Sequence, residues 1–363
     1  MKIIPFVHEG LGNSSYLVGL DDGRALVIDP DRSVARYVRA AEERGWRITG
    51  AVETHLHADF ISGARELAAT TDATLFVPSG AQPRFPHRPV APGETLQVDG
   101  VELTAVGSPG HTPEHLAYVL RAASGPPRLF SGGSLIVGGA ARTDLIAPEM
   151  TEPLTRAQYR TITSAFADLP DETLLLPTHG GGSFCSAGEG GGRTSTLGAE
   201  RAHNPLLAFT DEDEFTRWFP TTFPGTPAYY ARMRQVNQAG PRLRSEIAPP
   251  APMPPAAFRD ATRRPGALVV DTRSVEAFAA GHIAGSISIP FREAFAVWLG
   301  WLAPADPALL IVHDDAPLSR IADECLLVGY ERFGGALEGG VEAWERAGFP
   351  LASATLTGAE GAR

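Results

Sequence analysis

Two rhythms of apolar and polar positions run through this 363-residue chain. Short apolar runs at Tyr16–Gly19 and Arg24–Asp29 predict paired strands, joined through the turn-forming Asp21-Asp22-Gly23. Val34–Arg44 repeats its apolar residues at helical spacing and stops at Gly45. Ile48–Thr54 reads as a strand and Ile61–Ala69 as a helix. Further strands are expected at Thr74–Val77, Thr95–Val98, Val101–Val106, Leu116–Leu120, Leu129–Phe130 and Thr173–Leu176. Strands with helices between and after them predict a layered α/β domain.

The rhythm breaks at Ala248–Pro255, APPAPMPP. Proline removes amide donors and keeps its neighbours extended, so this stretch is expected to be neither helix nor central strand. It is read as a linker between a domain at 1–247 and another at 256–352. In the second, Ala267–Asp271, Val275–Ala280, Ser286–Ile289, Ala308–Val312 and a helix from Ser319 repeat a βα pattern, which predicts a largely parallel sheet. Ser186–Gly198 reads as a flexible surface loop within the first domain.

Composition narrows the function classes. A net charge of −11 excludes nucleic acid and anionic membrane as partners, because no lysine and arginine cluster offers phosphate contacts. Cys185 and Cys325 are the 2 cysteines, too few for a disulfide framework, and a reducing cytoplasm is expected. The N-terminus does not read as a signal peptide, and no apolar run reaches the length of a membrane span.

The chemistry concentrates in histidines. Strand Ile48–Thr54 leads into Thr54-His55-Leu56-His57-Ala58-Asp59, and residues two apart in extended chain face the same side. His111 follows strand Val101–Val106 in Ser108-Pro109-Gly110-His111-Thr112, and His179 follows strand Thr173–Leu176 in Pro177-Thr178-His179-Gly180. Histidines at several strand ends suit a common cation. His8, His87, His115 and His203 are expected to be hydrogen-bonded surface residues.

THLHAD, SPGHT and PTHG resemble the metal motifs of the metallo-β-lactamase fold, in the branch that holds persulfide dioxygenases and glyoxalase II-type hydrolases. Ile28-Asp29-Pro30, Gly63, Ala141-Arg142-Thr143-Asp144, Glu200-Arg201 and Asn204-Pro205-Leu206 extend the likeness. The fold this implies is α/β, an αββα sandwich. Two departures bear on mechanism. Phe60 stands where the pattern HxHxDH has its last histidine, which removes a ligand for a second metal. Gly133 stands where the branch has a metal-binding aspartate. The resemblance leaves His55, His57 and His111 as ligands to one ion, with Fe(II) favoured and Zn(II) the alternative. Asp59, His179 and Arg142 are the candidate catalytic groups. Asp59 could instead cap the helix beginning near Phe60, and Arg142 could brace its loop against Asp144 rather than hold a substrate carboxylate. Cys185 is either a sulfur acceptor near the pocket or a buried apolar filler.

Val269-Val270-Asp271-Thr272-Arg273, Gly281-His282-Ile283-Ala284-Gly285-Ser286 and Leu337-Glu338-Gly339-Gly340-Val341 resemble the rhodanese-like domain. Rhodaneses carry sulfur on a cysteine in the loop after the strand matching Ala308–Val312. Here that loop reads His313-Asp314-Asp315-Ala316-Pro317, and its paired aspartates would repel an anionic persulfide. Cys325 is expected in the core and His282 in a structural role. Together the resemblances imply mononuclear oxidation of a small, glutathione-type persulfide to sulfite. Zinc-dependent thioester hydrolysis and a non-catalytic protein binding sulfur species or a partner stand beside it. A homodimer is compatible with each.

Overall fold

The computed structural model describes residues 1–98, 101–187, 192–314 and 316–357. Residues 188–191 of the expected loop and Asp315 of the expected aspartate pair therefore lie outside the described residues. The chain divides into two compact units, Met1–Pro241 and Arg242–Arg363.

The first unit is built on two six-stranded sheets. The first runs in chain order through β1 (Lys2–His8), β2 (Asn13–Gly19), β3 (Arg24–Ile28), β4 (Arg47–Val52), β5 (Thr74–Pro78) and β6 (Arg88–Val90). Its β1 to β3 are antiparallel hairpins, whereas β3 to β6 pair in parallel through crossovers. The second sheet comprises β7 (Thr95–Val98), β8 (Val101–Gly107), β9 (Leu116–Arg121), β10 (Arg128–Gly132), β12 (Leu174–Pro177) and β14 (Ser195–Thr196). Two short strands, β11 (Ala140–Ala141) and β13 (Ser186–Ala187), pair separately.

Period-two alternation assigns each strand's side chains to two layers. Tyr16, Val18, Leu26, Ile28, Leu116, Tyr118 and Phe130 enter one buried cluster shared by both sheets. Leu17, Ala25 and Val27 turn the other way, onto Tyr37, Ala41 and Leu67 of the helices Ala35–Glu42 and Ala64–Thr71. Ala117, Val119 and Leu129 meet Phe215 of helix Glu212–Trp218 and Leu197 of helix Leu197–His203. Three apolar seams thus separate four layers, giving the αββα sandwich.

One expected boundary shifts in an informative way. The helix expected over Ile61–Ala69 runs Ala64–Thr71 with Gly63 at its N-cap, and Asp59 caps nothing. Ser62 instead forms a bridge with Asp31, and a Cβ at residue 63 would sit 2.0 Å from the Asp31 carbonyl oxygen, so only glycine fits.

In the second unit, β15 (Pro252–Met253), β16 (Ala267–Asp271), β17 (Ile287–Ser288), β18 (Ala308–Val312) and β19 (Phe333–Leu337) form one sheet in the order β15-β19-β18-β16-β17, parallel throughout. The proline-rich run contributes its edge. The carbonyls of Ala251 and Met253 accept from Ala336 N and Glu338 N at 2.8 and 3.0 Å, which asks for no proline amide. Phe258, Val269, Leu310, Leu337 and Trp344 fill the core of this unit, and Cys325 is buried in helix Leu318–Leu327. His282 stacks on Phe278 at 3.9 Å and bonds its carbonyl. Among the described residues, no helix is long and apolar enough to cross a membrane.

Candidate metal centre

The ends of β4, β8, β10 and β12 lead into one buried cluster. His55 and His57 follow β4, His111 follows β8, Gly133 follows β10 and His179 follows β12. All four histidines and Asp59 are buried. Ring centroids of His55 lie 4.2, 4.8 and 5.2 Å from those of His57, His111 and His179.

Each imidazole has one nitrogen held by an oxygen on its outer side. His111 Nδ1 donates to the Arg142 carbonyl at 2.7 Å. His57 Nε2 donates to Glu53 at 3.0 Å and lies 3.3 Å from Asp29. His179 Nδ1 donates to Asn13 Oδ1 at 3.1 Å, the amide being oriented by its own donation to Asp59 at 2.7 Å. Thr54 Oγ1 gives its proton to Asp29 at 2.7 Å and so accepts from His55 Nδ1 at 2.8 Å. The other nitrogen of each ring is left facing inward.

Several inward atoms lack partners outside the cluster. His57 Nδ1, His111 Nε2 and Asp59 Oδ1 are buried with no hydrogen bond, and His55 Nε2 faces His179 Nε2 at 3.2 Å. An unsatisfied buried polar group costs about 1–3 kcal/mol, so several converging on one point need a compensating charge. A divalent cation provides it, and outward hydrogen bonds of this kind are what orient metal-ligating histidines. The residues therefore fit a metal, and imidazole suits Fe(II) and Zn(II) alike. Donor atoms within 4.8 Å of one another group His55, His111 and His179; His57, Asp59 and His179; and His57 with Asp29 and Glu53. His179 belongs to two sets, and His57 does not share one with His55 and His111.

Asp29 anchors the assembly. Its backbone lies at φ 46°, a left-handed conformation costly for a side chain with a Cβ. That geometry lets its carboxylate accept from Thr54 N at 2.7 Å, from the Thr54 and Thr178 hydroxyls, and reach His57. Burial works against a charge on His57, but the charge of Asp29 and bonds from Asp29 and Glu53 prevail and raise its pKa to about 10. Burial, with neighbouring histidines, holds His55 and His111 well below the usual value. Although burial opposes it, the neighbouring His179 and the hydrogen bonds from His179 and Asn13 hold the Asp59 carboxyl below the usual range.

This geometry bears on three expectations. His115 is a correction: it is buried, stacked on His55 at 4.9 Å, and its Nε2 accepts from Gly133 N at 3.0 Å. Burial lowers its pKa to about 3, so it stays neutral. The Arg142 guanidinium is committed to Asp144 at 2.6 and 2.8 Å and to the carbonyls of Phe184 and Pro224. It braces its loop, and the residue reaches the cluster through its carbonyl on His111. Cys185 is buried, its thiol pKa pushed up by burial and then by the charge of Asp59, beside which it lies. Phe60 stacks on His57 at 4.2 Å.

Several supporting groups were not singled out as site residues. Helix Tyr230–Ala239 brings Asn237 Nδ2 to the carbonyls of His57 and Phe60, both at 2.9 Å, and Arg234 onto Glu114, which accepts from Leu56 N. Tyr229, just before it, donates to the Asp59 carbonyl at 2.7 Å. These residues follow a long run without motifs, so only their tertiary position reveals them.

In the second unit, the loop after β18 presents a half-buried His313 and an exposed Asp314. They border a cavity of about 510 Å³ with Arg273, Glu338 and Glu342, and its described lining contains no cysteine. Arg273 is engaged by Asp271 at 2.6 Å and by the Gly281 carbonyl at 2.7 Å.

Comparison with known proteins adds family context. The profile of the Metallo-beta-lactamase superfamily matches residues 8–185, and that of the Rhodanese-like domain matches residues 254–347. A hydroxyacylglutathione hydrolase of Xanthomonas campestris pv. campestris (strain B100) is 35% identical over 169 residues, 46% of this chain and 60% of the relative. The chain thus spans less than two-thirds of that hydrolase. The human mitochondrial persulfide dioxygenase ETHE1 is 30% identical over 204 residues, 55% of this chain and 73% of the relative. A crystal structure of a metallo-beta-lactamase from Staphylococcus aureus subsp. aureus COL superimposes with a TM-score of 0.82 at 31% identity, covering 93% of this chain and 98% of that one.

Proposed function

Because the chain belongs to the metallo-beta-lactamase superfamily, we propose that its first unit holds one metal ion and oxidises a small, glutathione-type persulfide to sulfite. The observation that carries the one-ion reading is the position of His179. Its Nδ1 is held by Asn13, so a single nitrogen remains for the two donor sets it borders and only one of them can be filled, while the third set, Asp29, Glu53 and His57, is already joined by its own hydrogen bond. Phe60 supports this, since a phenyl ring offers no ligand for a second ion.

Iron, when bound, would supply a site for a thiolate and dioxygen. The protein's part is positioning and proton handling. Asp59 Oδ1, buried without a partner, brings a fixed negative charge to the edge of the cluster, where it would hold a protonated group or a bound water in place. Asn13 and His179 hold that carboxylate in place. The reaction consumes one persulfide, one dioxygen and one water, and releases thiol, sulfite and two protons. Relatedness to a persulfide dioxygenase and the adjacent rhodanese-like unit both support sulfur chemistry.

The identity to hydroxyacylglutathione hydrolases favours a second reading, thioester hydrolysis with zinc. Metal analysis of anaerobically purified protein separates the two. About one iron per chain with oxygen uptake on glutathione persulfide is expected. Stoichiometric zinc with thioester cleavage would replace that reading. Absence of metal, with no effect of His55→Ala or His111→Ala on any activity, would leave a non-catalytic binding protein.

A further inference from the structure

Gly133 closes tightly against the cluster. A Cβ added there would stand 2.7 Å from His111 Cδ2, 2.9 Å from Ala141 Cβ and 3.0 Å from His179 Cδ2. A side chain at residue 133 would therefore press on the present rings of both His111 and His179, and on Ala141. With glycine in place, His179 Nε2 reaches 3.2 Å from His55 Nε2 and groups with the donors of His55 and His111. Its Nδ1 is anchored to Asn13, so Nε2 is the atom presented. His57 Nε2 is held by Glu53 and Asp29, and its unpartnered Nδ1 does not group with the donors of His55 and His111.

We infer that His179 takes the coordination position that a side chain at 133 would fill, so that His55, His111 and His179 form the donor set and His57 stays outside it. Glycine at 133 and histidine at 179 then work as a linked pair. Three neutral imidazoles leave the full charge of the ion available to an anionic ligand, which favours a thiolate or persulfide over a neutral substrate. This assignment rests on the reading that the cluster holds a metal.

The test is anaerobic titration of the full-length, metal-free protein with Co(II), followed by absorption and by proton NMR. Each imidazole ligand to Co(II) contributes one paramagnetically shifted, solvent-exchangeable N–H resonance. Three are expected in the wild type, and His57→Gln keeps all three. His179→Ala should show two, with affinity reduced by at least about 100-fold, beyond the range typical of outer-shell partners. Gly133→Asp retains every histidine and guards against a misfolded alanine variant. It should also show two, and adding His179→Ala to it should then cost less than about threefold, a strong departure from additivity. Three resonances and unchanged affinity in His179→Ala, or a loss in His57→Gln instead, would overturn the assignment while leaving the metal reading intact. Failure of the wild type to bind Co(II) would overturn both.

Discussion

The two units each place a loop at the carboxyl ends of parallel strands, and each loop lacks a residue that the family resemblance leads one to expect. The outcomes differ. In the first unit, glycine at residue 133 borders a buried cluster in which every imidazole is oriented from outside. In the second, loss of the cysteine leaves a half-buried His313, an exposed Asp314 and an arginine already engaged by Asp271. A site built from several equivalent donors tolerates a deletion, because the remaining donors still converge. A site built around one nucleophile does not, since nothing else in its loop can form the covalent bond.

That contrast is most directly broken by a matched pair of substitutions. His111→Ala should strip the metal and lower oxygen uptake on glutathione persulfide by more than about 100-fold, exceeding the effect of removing an outer-shell partner. His313→Ala should change either quantity less than about twofold. Comparable losses from both would mean that the second unit takes part in the reaction.

The anchoring carboxylate comes next. Asp29→Asn removes the buried charge beside His57 and turns one of the two oxygens that serve His57, Thr54 and Thr178 into a donor. Breaking a buried charged pair typically costs about 3–5 kcal/mol, and metal affinity should fall about 10–100-fold with it. Denaturant unfolding and metal titration of the same preparation check both values. Chelation of the wild type should have a smaller effect, confined to the first unit. Removing an ion present at about 100 times its Kd lowers stability by about 2.7 kcal/mol. Calorimetry should show the transition of the second unit unmoved. Smallest is Tyr229→Phe, which deletes one hydrogen bond to the Asp59 carbonyl and should cost about 1 kcal/mol with metal content retained.

Much of the architecture is legible in the chain because it depends on local periodicity. Tyr16–Gly19 and Arg24–Asp29 pair as their alternation and the Asp22-Gly23 turn predict, and the parallel βα rhythm after residue 256 reappears in β16 to β19. Asp59 shows where such reading stops. Its position before a helical pattern suggested a cap, whereas the chain first pairs Ser62 with Asp31 and the carboxylate turns into the cluster. His115 reads as a surface residue because a single histidine in a loop usually is one. It is covered by His55, sixty positions earlier in the chain.

The sequence by itself determined the histidine-bearing strand ends, the two-unit organisation and the absence of a cysteine from the second unit's loop. These are properties of residue type and order, which no folding event can alter. The tertiary structure decided which histidine nitrogens converge, that the Arg142 guanidinium is engaged by Asp144, and that Asn13, Glu53, Tyr229 and Asn237 pack around the cluster. Such roles arise from contacts between distant segments, whose distances and hydrogen bonds exist only once the sheets pack face to face.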